Sequence, residues 1–66
     1  MSLGKNIRFY RRERDMTQKD LAAQLGTTQI QISRYENDVI CPRPIKLPKL
    51  AAILGCSIDD LMKEEE

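Results

Sequence analysis

Residues Thr17 to Glu36, TQKDLAAQLGTTQIQISRYE, decide the fold. Thr17 is a residue type that caps helix N-termini, and Asp20 three positions on completes a capping box. Leu21, Ala22 and Leu25 follow at the apolar spacing of a helix, and Gly26 supplies the φ > 0 position that ends one. Thr28 and Gln31 repeat the box as T-x-x-Q, so a second helix starts only two residues after the first stops. So short a turn forces the two helices to cross. The spacing turns Ile32 and Tyr35 toward the first helix and leaves Gln29, Ile30, Ser33 and Arg34 pointing away from the core.

Two helices crossing at a large angle can lay the second of them in a DNA major groove. Gln29 can offer the amide fork that matches adenine N6 and N7, Arg34 can bind guanine O6 and N7, and Ile30 can meet a thymine methyl. Ser33 shares that face. Core packing for Ile30 and a phosphate contact for Arg34 stand as alternatives. Gln31 divides between capping and a phosphate.

The pattern T-Q-x-x-L-A-x-x-L-G, a polar turn, Q-x-x-I-S-R-Y-E-N and then K-L-A-A-I-L-G-C-S-I-D-D-L resembles the XRE-type helix-turn-helix family, that of the lambdoid phage repressors and Cro proteins. The resemblance covers nearly the whole chain. It implies an all-α, compact five-helix bundle, a single lambda-repressor-like domain over residues 1–66 with its helix-turn-helix core at 17–36. It further implies a sequence-specific binder of double-stranded DNA that regulates transcription, most simply as a repressor. Such domains commonly form a homodimer on a near-palindromic operator. The family also places a phosphate contact at Gln18 and an ion pair between Arg11 and Glu36. The chain departs from the pattern at three places: Ile30 where a small polar residue is commoner, Asp38 where glycine often follows Asn37, and Val39-Ile40 where cations are common.

Sixty-six residues allow one small domain, and a chain of this size buries only about 60% of its unfolded surface. An apolar fraction of 41% with three glycines suits helices better than a sheet with many turns. No apolar run approaches the roughly 18 residues of a membrane helix, so a cytoplasmic, membrane-free protein is expected. There is no His, and Cys41 and Cys56 fit no metal-ligand spacing, so neither a zinc site, a cofactor nor an enzyme is expected. A domain this small leaves no room for an effector pocket. The net charge of +1 hides an asymmetry: residues 1–58 carry ten Lys and Arg against five acids, while 59–66 carry one against five. A basic body facing DNA and an acidic tail, 63–66, held away from it would account for this; a merely solvated tail is the alternative.

Gly4 to Arg14 reads as the first helix, with Ile7 and either Tyr10 or Arg11 inward and Lys5, Arg8, Arg12 and Arg14 outward, Lys5 and Arg8 within reach of a phosphate. Met16 can staple against Leu21. Gln18 and Lys19 open the second helix, where free amides and the helix dipole attract a phosphate oxygen. The loop from Asn37 to Lys46 contains Pro42 and Pro44, and Asn37, Arg43 and Lys46 are candidate phosphate contacts. Leu47 to Leu54 forms a fourth helix whose Leu47, Leu50, Ala51 and Leu54 close the core, Gly55 ends it, and a Ser57–Asp60 box starts a short fifth helix with Ile58, Leu61 and Met62. Within the same chemistry, a restriction-modification controller or an antitoxin-like autoregulator is an alternative. From another class, the scaffold can serve as a protein-interaction module through Val39-Ile40 and the acidic tail.

Overall fold

The computed structural model describes residues 2–63, and among them five α-helices and one 3₁₀ turn run in the order α1 Leu3–Glu13, α2 Gln18–Leu25, α3 Gln29–Glu36, the turn Pro44–Lys46, α4 Leu47–Leu54 and α5 Ile58–Met62. Four helices start on a hydroxyl cap: Ser2, Thr17, Thr28 and Ser57 each accept a backbone N–H three residues ahead. Thr17–Asp20 and Ser57–Asp60 close full capping boxes. The expected box at Thr28 is only half made, because the Gln31 side chain turns forward to the Tyr35 hydroxyl instead of back to the Thr28 amide. α4 has no side-chain cap and is entered through the 3₁₀ turn, where Pro44 needs no N–H partner. This turn lies inside what the sequence predicts as plain loop. Gly26 and Gly55 take the left-handed conformation that ends α2 and α4.

The core lies where the helices converge: Ile7 from α1, Leu21 and Leu25 from α2, Ile32 and Tyr35 from α3, Leu50 and Leu54 from α4, and Leu61 from α5. Ala22 and Ala51 are buried too, and their small side chains let α2 and α4 approach. Each large aliphatic buried here contributes about 1.5–3 kcal/mol of transfer free energy. α3 packs against both α1 and α2, so the second helix of the pair rests on the first two elements of the chain. Four sequence expectations shift. α1 begins one residue early, at the Ser2 cap. Leu47 is only half-buried, and of the three apolar residues of α5 only Leu61 is fully covered. Arg11 and Tyr10 both turn inward, Arg11 buried and Tyr10 half-buried. The acidic tail beyond Lys63 lies outside the described residues.

Long-range polar contacts lock these helices together. Asn6, 2% exposed, donates through Nδ2 to the Leu61 and Lys63 carbonyls, both at 2.7 Å. Helix C-termini leave such carbonyls without intrahelical donors, so α1 caps the end of α5. Asp38 has φ +59, a region where aspartate is tolerated far better than most residues. Its carboxylate accepts from the Ser2 hydroxyl at 2.6 Å and from the Gly4 amide at 3.0 Å. Asp38 therefore joins the exit of α3 to the start of α1. Those hydrogen bonds hold its carboxyl below the usual carboxylate range: the Ser2 bond is the largest influence, desolvation opposes it, and the Gly4 amide and Lys5 charge reinforce it.

Candidate nucleic-acid interface

On α3 the structure leaves Gln29, Ile30 and Arg34 exposed and Ser33 half-buried, all on the side turned from the core. Ile30 is 65% exposed while Ile32 is fully buried, which removes the core-packing alternative for Ile30. Arg34 has no ion-pair partner among the described residues. The four base-reading candidates therefore share one accessible helix surface.

Of the phosphate candidates, Gln31, Arg43 and Lys46 are brought to one place. Together with Tyr35 and Cys41 they line a hollow of about 290 Å³ beside α3. The two cations and the Gln31 amide can all donate there, which suits an anion such as a phosphate. Tyr35 was legible only as a core residue; it is buried, yet it lines this hollow, and its hydroxyl accepts from Gln31 at 3.5 Å. Cys41, exposed and outside any disulfide, stands at the same rim. Val39, 67% exposed, and Ile40 stand out on the loop beyond α3.

A second grip lies at the start of α2. The Thr17 hydroxyl and carbonyl occupy the Asp20 and Leu21 amides, which leaves the Gln18 and Lys19 amides as the helix's unsatisfied donors. The dipole adds positive potential at that end. The Gln18 side chain itself points inward, donating to Glu36 Oε1 at 3.2 Å. Lys19 is exposed.

Glu36 is the hub that sets these pieces relative to one another. It is 2% exposed and takes a two-pronged contact from Arg11, Nε to Oε2 at 2.6 Å and Nη2 to Oε1 at 3.1 Å. Arg11 Nη1 donates onward to the Met16 carbonyl at 2.7 Å, which fixes the entry to α2. The pair that the resemblance implied is thus present, buried and bidentate. Arg8, expected outward, adds a third cationic contact at 3.4 Å and donates to Asn37 Oδ1 at 3.2 Å. Burial pushes the Glu36 carboxyl up, but hydrogen bonds from Arg11 and Gln18, the Arg11 charge and the Arg8 contact outweigh it and hold the group below its ordinary value. The carboxylate therefore stays charged. Asn37 is engaged at both ends, since its Nδ2 donates to the Ser33 carbonyl at 2.8 Å and to Ser33 Oγ at 3.3 Å.

No group of three or more potential metal ligands occurs among the described residues, and no helix of theirs is long and apolar enough to cross a membrane.

Known proteins share this fold. The chain is 35% identical to the HTH-type transcriptional regulator ImmR of Bacillus subtilis (strain 168) over 66 residues, which is all of this chain and 52% of that protein; it spans about half the length of that relative. Its fold matches the P22 c2 repressor bound to a synthetic operator, with a TM-score of 0.90 and 29% identity over 98% of each chain. It also matches the biofilm regulator SinR in complex with DNA, with a TM-score of 0.81 and 28% identity over 89% of this chain and 95% of that one. The sequence profile of the helix-turn-helix family matches residues 7–61, and the chain belongs to that family.

Proposed function

We propose that this domain binds double-stranded DNA sequence-specifically and regulates transcription, most simply as a repressor that occupies a promoter, in the cytoplasm. The observation that carries the reading is the surface of α3: Gln29, Ile30 and Arg34 stand exposed on the second helix of the pair, flanked by two places that can hold a phosphate. In this reading Gln29, Ile30, Ser33 and Arg34 meet base edges, while Gln18, Lys19, Gln31, Arg43 and Lys46 position the backbone. The DNA complexes of the P22 c2 repressor and SinR support it. Each copy carries one recognition helix, α3, and helix-turn-helix dimers set two such helices about 34 Å apart, one turn of DNA. In this reading two copies bind as a homodimer on a near-palindromic operator, each supplying one recognition helix.

The test is a comparison of two variants on a duplex selected from a random pool and on its single-step variants. Arg34→Ala is expected to lose discrimination at one base step by about 1–3 kcal/mol while retaining non-specific binding. Lys46→Ala is expected to weaken every duplex alike and reduce the salt slope. Equal loss on all duplexes for Arg34→Ala would make that side chain a phosphate contact.

A further inference from the structure

The Arg8, Asn37 and Ser33 side chains form a chain of hydrogen bonds that runs from α1 to the outward face of α3. The orientation of the middle link is fixed at both ends. Arginine has donors only, so the Asn37 atom facing Arg8 Nη2 at 3.2 Å must be its carbonyl oxygen. The Ser33 backbone carbonyl is an acceptor only, so the atom 2.8 Å from it must be the amide nitrogen. That nitrogen also lies 3.3 Å from Ser33 Oγ, which therefore accepts. A hydroxyl that accepts one hydrogen bond is polarised into a better donor. The Ser33 O–H makes no hydrogen bond of its own among the described residues, although the side chain is only half-buried.

We infer that this chain aims the Ser33 O–H at a base-edge acceptor, so that Asn37 and Arg8 are positioning residues in base discrimination and not phosphate contacts; the inference rests on the DNA-binding reading above. An O–H donor favours guanine O6 or N7, adenine N7 or thymine O4 over the N4 amine of cytosine. Asn37 sits outside α3 at its C-cap, and both of its polar ends are already occupied within the domain. Its side-chain amide has no free donor for a phosphate without releasing Ser33 Oγ or the Ser33 carbonyl, which also accepts from the Asn37 backbone amide at 3.0 Å. The side chain at the end of the recognition helix thus sets the rotamer of one of its reading residues.

The experiment measures binding of the whole chain to its pool-selected duplex and to every single-step variant of that duplex, with thermal denaturation of each protein alongside. Ser33→Ala and Asn37→Ala are expected to lose about two- to tenfold in discrimination at one and the same base step. The double variant is expected to lose no more than either single one, because the two act as a unit. Ser33→Thr, which keeps the hydroxyl, is expected to retain the preference. Arg8→Ala, which frees Asn37 to turn, is expected to lose part of it at that step. If Asn37→Ala weakens all duplexes alike with its base preferences intact, Asn37 holds a phosphate and the inference is overturned. If losses from Ser33→Ala and Asn37→Ala add, or fall at different steps, the chain does not act as a unit and the inference is likewise overturned. A wild-type protein without discrimination at any step would overturn the DNA-reading function itself, which separates that failure from the other two.

Discussion

Glu36 shows what a single residue does in a domain this small. A 66-residue chain has a net stability of only about 3–10 kcal/mol, and removing one partner of a buried ion pair costs about 3–5. The Arg11–Glu36 contact is therefore comparable with the whole margin. Its pH dependence has a definite sign. The folded carboxyl lies below its ordinary value, so its contribution is fully present above the unfolded value of about 4.3 and is lost as pH falls through the lower folded value. Glu36→Gln imitates the protonated acid without the charge. In urea denaturation the variant is expected to be less stable than the wild type at neutral pH, by at most about 3–5 kcal/mol, and the gap is expected to close as pH drops below about 4. A gap unchanged with pH would show that the charge is not what holds Arg11. The partnership with Arg11 came from the family resemblance; composition and spacing do not disclose it. Arg8 was placed outward on helical periodicity, because a pairing across 28 residues is set by how α3 docks and not by any local signal.

At the level of elements, the helix starts and stops were legible, because a cap is a matter of three or four neighbouring residues. Thr17, Gly26, Thr28, Gly55 and Ser57 all act where the sequence puts them. The seams between helices were not. Asn6 reaches the Leu61 and Lys63 carbonyls across 55 and 57 residues, and Asp38 reaches Gly4 across 34. Gly4 and Gly26 make the contrast measurable. Gly26 has φ +79 with open space around it, so Gly26→Ala is expected to cost about 1–2 kcal/mol from backbone strain alone. Gly4 lies in ordinary helix, where alanine would normally gain about 1 kcal/mol. A Cβ there, however, would come within 2.7 Å of Asp38 Oδ1 and of the Glu36 carbonyl, with the Tyr35 carbonyl closer still. Gly4→Ala is expected to destabilise by about 1–3 kcal/mol in the same denaturation assay. A stabilised Gly4→Ala would mean that α1 does not pass this close to the end of α3.

Across the whole molecule the features form one device. The core holds α3 against α1 and α2, the Glu36 cluster ties the start of α2 to the end of α3, and the hollow beside Tyr35 brings Arg43 and Lys46 to the flank of the same helix. Which face of α3 points outward could be read from periodicity, since burial of Ile32 and Tyr35 fixes the opposite side. The hollow could not, because its lining comes from α3, the loop and the 3₁₀ turn, and that turn has no sequence signal beyond two prolines. The central claim is that this surface reads DNA sequence while the flanks hold the backbone. Its most direct test is fluorescence-anisotropy binding to a duplex selected from a random pool and to a scrambled duplex, repeated across a salt series. The expected result is a preference of about 10³ or more for the selected duplex, with log affinity falling linearly in log salt at about 0.9 per phosphate held. Absence of binding at low salt, or equal affinity for both duplexes after selection, would contradict the account.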